Sequence, residues 1–160
     1  MNTEVLKGEV EDGPNDSNQM LRMARRAPLE GLTRVVAAVI EREGRFLLCQ
    51  RPAHKRHGGL WEFPGGKLSP GESVLGAASR ELDEELGVRV SSVGETLFKK
   101  VDPGSSFLIE FVEVSVVGDP ILIEHSDFRW LVPEQVVEFP LAPTDAEFAT
   151  SLWTEKTDGG

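Results

Sequence analysis

The rhythm of apolar and polar positions changes several times along the chain, and each change marks an element. Residues 11–18 (EDGPNDSN) combine turn formers and acids with no apolar side chain, so residues 1–30 are expected to form a flexible tail, with a short helix near 20–26. Residues 34–41 (RVVAAVIE) form an apolar, β-branched run that predicts a buried strand. Glu43-Gly44 turns the chain, and 45–50 (RFLLCQ) is its antiparallel partner. A polar loop, 52–59, leads to a short strand at 60–63 (LWEF), which runs into Pro64-Gly65-Gly66. Residues 73–86 keep a helical period. Leu75, Ala78, Leu82 and Leu86 share one stripe, Ser73 can cap the start, and Gly87 can end the helix. Strands follow at 88–93, 95–101, 107–117, 121–124 and 128–131, and helices at 133–137 and 144–153. This order predicts one layered α/β (α+β) domain over residues 31–155, a mixed β-sheet between helices, with 156–160 as a frayed end.

A length of 160 residues suits one such domain, and 39% hydrophobic with 28% charged residues places it in the globular class. There is no apolar run of the roughly 18 residues a membrane helix requires and no secretory segment, so no membrane partner is expected. Cys49 stands alone, which rules out an internal disulfide and fits a reducing, cytoplasmic setting. A net charge of −10 argues against a nucleic-acid surface. It does not exclude a small anionic substrate, because carboxylates accept phosphates when divalent cations lie between them.

On the helix at 73–86, Glu81, Glu84 and Glu85 form a second stripe beside the apolar one. Residues three and four apart approach within about 5–6 Å at their Cβ atoms. Three carboxylates at that spacing form either a solvated acidic face or a site that needs a cation. Oxygen donors suit Mg²⁺ or Mn²⁺ rather than zinc. Gly65 and Gly66 let backbone approach a ligand closely, and Lys67 and Arg80 add cations beside the acids.

Residues 66–88 (GKLSPGESVLGAASRELDEELGV) resemble the Nudix box: Gly66, Glu72, Arg80, Glu81, Leu82, Glu84, Glu85, Gly87 and Val88 each occupy a defined position. The resemblance extends over about 33–153 and implies a Nudix hydrolase fold. It implies that the Gly65 carbonyl, Glu81, Glu84 and Glu85 bind Mg²⁺ (Mn²⁺ as a substitute), and that Arg80 orients Glu81. It also implies that Glu72 ties the loop to the helix, that Gly66 and Gly87 are structural, and that Glu124 serves as a further ligand or base from a later loop. The implied reaction is attack of water on phosphorus.

The flanks resemble MutT-type nucleoside triphosphate pyrophosphohydrolases in residues 50–53 (QRPA), 59–67 (GLWEFPGGK) and 139–145 (FPLAPTD), the last being similar to the CTP pyrophosphohydrolase branch. Where the 8-oxo-dGTP diphosphatase branch reads its purine with an asparagine, this chain has Pro143. Arg51, Phe63, Lys67 and Asp145 are therefore expected to bind a small-molecule nucleotide. Phe63 can also be plain core, and Asp145 can also cap the last helix. The expected activity is hydrolysis of a (modified) nucleoside triphosphate to a monophosphate and pyrophosphate. ADP-ribose or a dinucleoside polyphosphate is the alternative substrate class, and a non-catalytic Nudix-fold binding module the remaining one. Either a monomer or a homodimer is compatible with these features.

Overall fold

The computed structural model describes residues 31–158, with side chains described to residue 154. The expected tail at 1–30 lies outside the described residues, as do the last two positions. Eight strands and three helices follow one another: β1 (Thr33–Val39), β2 (Glu41–Arg42), β3 (Arg45–Gln50), β4 (Trp61–Glu62), β5 (Gly65–Lys67), α1 (Val74–Leu86), β6 (Arg89–Val101), β7 (Phe107–Val117), β8 (Asp127–Leu131), α2 (Pro133–Val136) and α3 (Pro143–Asp158). The mixed α+β class expected from the pattern is the class observed.

The strands divide between two four-stranded sheets. One has the order β5-β1-β7-β6, with β1 and β7 parallel and the other pairs antiparallel. The other is antiparallel, with β3 flanked by β2, β4 and β8. The run at 34–41 does not form one strand. It breaks at Ile40, and the chain passes from the first sheet to the second. Glu43 (φ 54°) and Gly44 (φ 77°) then make the left-handed turn that closes the β2–β3 hairpin.

Alternation along the strands separates two cores. Ala37 and Val39 of β1 and Phe46 and Leu48 of β3 face α3, where Phe63, Phe111 and Phe148 interlock; the Phe111 and Phe148 rings stack at 4.5 Å. Ala38, Leu47 and Cys49 face the other way and pack under Ala78, Leu82 and Leu86 of α1. The helices thus cover opposite faces of the strand layer.

Three further expectations are corrected. Leu75 is 45% exposed, while Ala77 and Glu85 are buried. The buried arc of α1 is rotated toward Ala77, because two small alanines let the helix settle against Val36 and Val112, and Leu75 falls at its margin. The strands expected at 88–93 and 95–101 are one long strand, β6, whose register shifts against β7 around Gly94. Residues 121–124 form no strand. Pro120 carries no N–H, and the Ile121 N–H is spent on the Leu86 carbonyl at the end of α1 (2.8 Å), so no ladder can form there. The chain bends around the helix end instead, leaving Ile121, Leu122 and Ile123 exposed.

Candidate active site

Helix α1 starts where Ser73 accepts a hydrogen bond from the Gly76 N–H (3.0 Å) and stops at Gly87, whose φ of 66° only glycine adopts without strain. Arg80 organises its first turns. Its guanidinium donates to both Glu72 oxygens (3.1 and 2.9 Å), to Glu81 Oε1 (2.7 Å) and to the Lys67 carbonyl (2.9 Å). Glu72 also accepts from the Ser69 N–H (2.9 Å), which ties the loop before the helix to its second turn. Arg80 and then the Ser69 amide hold the Glu72 carboxyl below the usual carboxylate range, and the two carboxylates push Arg80 upward. The backbone of β5 runs directly over Glu81: a Cβ on Gly66 would lie 2.3 Å from the carboxylate carbon.

One turn after Glu81, Glu85 is 7% exposed, and its Oε2 has no hydrogen-bond partner. Burial, followed by the negative charges of Glu81 and Glu62, pushes its carboxyl well above the ordinary range. Behind it lies His125, whose Nε2 is 3.0 Å from Glu62 Oε2 and 3.5 Å from Glu85 Oε1. The other Glu62 oxygen accepts from Arg51 (2.7 Å), and Arg51 Nε donates to the Arg56 carbonyl (2.6 Å) in the loop between β3 and β4.

Arg51, Glu62, Glu81, Glu85 and His125 line a cavity of about 380 Å³, a volume in the range of small-ligand sites. Asp145 lines the same cavity, and its Oδ2 accepts from the Phe63 N–H (2.9 Å). Full burial, and then Glu62, push Asp145 up to about 8, despite the Phe63 amide that favours its charge. The rim is cationic: Arg51, Lys55, Arg56 and Lys67 all reach the cavity. Arg56 bonds Asp102 (3.2 Å) and the Pro103 carbonyl (3.1 Å), so the 52–59 loop is tied across to the β6–β7 hairpin. Asp102 is in turn bonded by the Thr144 hydroxyl (2.7 Å). Lys67 Nζ stands 4.9 Å above the Phe107 ring at the cavity edge.

The candidate residues converge, with exceptions. Gly65, Gly66, Glu81, Glu85 and Glu124 of the expected metal set, and Arg51, Phe63, Lys67 and Asp145 of the expected nucleotide set, all line the cavity. Glu84 is exposed and does not line the cavity, because α1 turns it toward solvent. Phe63 belongs to both readings, its ring wedged edge-on against Phe111 and Phe148 and its amide turned to Asp145. Asp145 stands in the first turn of α3, where an acid is favourable, and also faces the cavity. Sequence reasoning missed Glu62, His125 and His57. Strand alternation held a signal for Glu62, since burying Trp61 turns its neighbour to the opposite face. His125 follows Glu124 at a bend read as a strand end. His57, given no role, lines the cavity with a buried Nε2 that has no partner.

The donor chemistry is that of a hard cation. Carboxylates of Glu81, Glu85 and Glu124 line the cavity, one carboxylate oxygen of Glu85 is orphaned, and burial and then the charges of Glu81 and Glu62 raise the Glu85 carboxyl, which a cation would relieve. Among the described residues no three ligating side chains meet at one point: Arg80 draws Glu81 aside, and Glu84 and Glu124 are exposed.

Known proteins resemble this chain in sequence and in fold. The chain is 44% identical over 114 residues to the CTP pyrophosphohydrolase of Escherichia coli, covering 69% of this chain and 84% of that one. The solution structure of the E. coli ORF135 protein superposes with a TM-score of 0.67 at 38% identity, covering 78% of this chain and 91% of that chain. The MutT protein from Methanosarcina mazei superposes with a TM-score of 0.64 at 26% identity, covering 79% and 95%. Nudix enzymes act on small-molecule nucleotide substrates and generally use divalent metals. The NUDIX domain model matches residues 31–152, and with these relatives the match makes the chain a member of the Nudix family and a Nudix hydrolase.

Proposed function

We propose that this hydrolase cleaves a nucleoside triphosphate to a nucleoside monophosphate and pyrophosphate, with Mg²⁺ as the natural cation and Mn²⁺ as a substitute. The observation that carries the reading is a pair of carboxylates one helical turn apart, Glu81 and Glu85, at the inner end of a nucleoside-sized cavity whose rim is cationic. The Gly65 carbonyl, Glu81 and Glu85 form the donor set, and the exposed Glu124 of the lining and Glu84 from outside it complete the set by rotation of their side chains. A bound cation supplies charge neutralisation for the pyrophosphate and lowers the pKa of the attacking water.

The protein's own groups do the positioning. Arg80 holds Glu81 at 2.7 Å and fixes it against β5. Lys55, Arg56 and Lys67 attract the polyphosphate, and Arg51 stands between phosphate and base. A glutamate of the acidic group takes the proton of the attacking water. Asp145 reads the base: with its carboxyl held up to about 8, it keeps a proton at neutral pH and offers an O–H donor beside the oxygen that accepts from Phe63. Identity to the E. coli CTP pyrophosphohydrolase favours a pyrimidine.

The test is hydrolysis by the purified protein with Mg²⁺ of CTP, dCTP, 5-methyl-dCTP, 8-oxo-dGTP and ADP-ribose, with EDTA as control. Pyrophosphate release from at least one triphosphate is expected. Release from none sinks the reading, and turnover of ADP-ribose alone moves the chain to the other substrate class.

A further inference from the structure

His125 is buried, with a side chain 3% exposed, yet it packs against charge rather than apolar core. Its Nε2 lies between Glu62 Oε2 (3.0 Å) and Glu85 Oε1 (3.5 Å), and its Nδ1 has no hydrogen-bond partner. A buried ring with one nitrogen unsatisfied costs stability, and such groups call for a reason other than the fold. The loop that carries it is pinned at both ends: Ile121 N–H to the Leu86 carbonyl of α1 (2.8 Å) and Ser126 N–H to the Gln50 carbonyl of β3 (3.1 Å). The ring is thereby set between a helix carboxylate and a strand carboxylate that would otherwise repel each other. Every other Glu62 contact is also fixed, since Arg51 holds its second oxygen at 2.7 Å. Glu85 Oε1 lies within ion-pair distance of Nε2 without a hydrogen bond to it, and Glu85 Oε2 has no partner.

We propose that His125 is a positioning residue: hydrogen-bonded to Glu62 through Nε2 and standing 3.5 Å behind Glu85 Oε1, it sets the spacing of the two carboxylates so that the free Oε2 of Glu85 is presented to the divalent cation. The role rests on the proposed use of Glu85 as a metal ligand, and it assigns His125 no contact with substrate. Residues that orient metal ligands from behind typically contribute about 10–100-fold in metal affinity or activity.

The experiment compares wild type with His125→Leu, which keeps bulk without a donor, and His125→Gln, whose amide N–H reaches the same region. Mn²⁺ binding is titrated by EPR on each protein without nucleotide, and kcat and KM are measured on the best nucleotide. The leucine variant is expected to bind Mn²⁺ about tenfold more weakly and to lose at least about tenfold in kcat with KM within about threefold; the glutamine variant recovers most of both. Wild-type Mn²⁺ affinity in His125→Leu overturns the proposal, as does a glutamine variant that falls as far as leucine. If the leucine variant does not fold, His125→Asn replaces it: its shorter side chain withdraws the donor, and unchanged Mn²⁺ affinity is again fatal. Failure of the wild type on every nucleotide refutes the proposed reaction, while the Mn²⁺ titrations still decide the role of His125.

Discussion

Replacing Gly66 with alanine adds one methyl group whose three nearest atoms all belong to the Glu81 carboxylate. The new Cβ would lie 2.3 Å from the Glu81 carboxylate carbon and Oε2, whereas ordinary contact starts at 3.4 Å, so the carboxylate must retreat by 3.4 − 2.3 = 1.1 Å. It is the end of a flexible side chain and can retreat at little cost to the fold, but only by leaving Arg80, which now holds it at 2.7 Å. A misplacement of about 1 Å in a positioned group costs on the order of 100-fold in rate. Gly66→Ala is therefore expected to fold with a Tm near wild type and to lose about 100-fold in kcat. Gly65→Ala is the control, because its Cβ would lie 1.9 Å from the Val36 carbonyl oxygen, a backbone atom of β1 that cannot swing aside. That variant should lose stability outright. Steady-state hydrolysis and thermal melts in the same buffer check both. A Gly66→Ala enzyme within about threefold of wild-type kcat, or one whose Tm falls as far as that of Gly65→Ala, refutes the reasoning.

Other expectations follow from the same geometry. Glu85→Gln should lose at least about 100-fold in kcat yet raise the Tm in EDTA at pH 8, since it removes a buried carboxyl whose ionisation burial and Glu81 oppose; an unchanged or lower Tm counts against that account. Asp145 has a folded-state value of about 8, above its ordinary 3.8. The native state therefore holds its proton more tightly, and the stability this confers is complete below about pH 4 and lost as pH rises through 8. The unfolding free energies of wild type and Asp145→Asn, from denaturant melts, should diverge between pH 5 and pH 8.5 by on the order of a few kcal/mol at most, with wild type losing ground; parallel pH profiles refute the assignment. Leu82→Ala empties a fully buried position between α1 and the strands and should cost about 2–5 kcal/mol, read from urea melts.

The helix that carries the acids was legible from the chain alone. Its limits depend on contacts within a few residues, Ser73 with Gly76 and Gly87 with Asp83, and such contacts follow from local spacing. The box of residues 66–88 likewise names a reaction class through its resemblance to the Nudix box, and its local contacts were legible because Gly66, Glu72, Arg80 and Glu81 meet within one loop and two turns. Periodicity alone could not say how far the helix rolls as it packs. Contact of Ala77 and Ala78 with the sheet buried Glu85, exposed Leu75 and turned Glu84 to solvent. Nor could it place Glu62 beside His125, 63 positions apart, because that meeting requires β3 to pair with both β4 and β8. An apolar triplet at 121–123 has the composition of a strand, and only the tertiary competition for the Ile121 amide made it a bend that delivers Glu124 and His125 to the cavity. Local spacing thus determined the cap, the box and the acidic stripe. Long-range pairing decided which acids are buried and what stands behind them, because burial and charge depend on neighbours the sequence places far away.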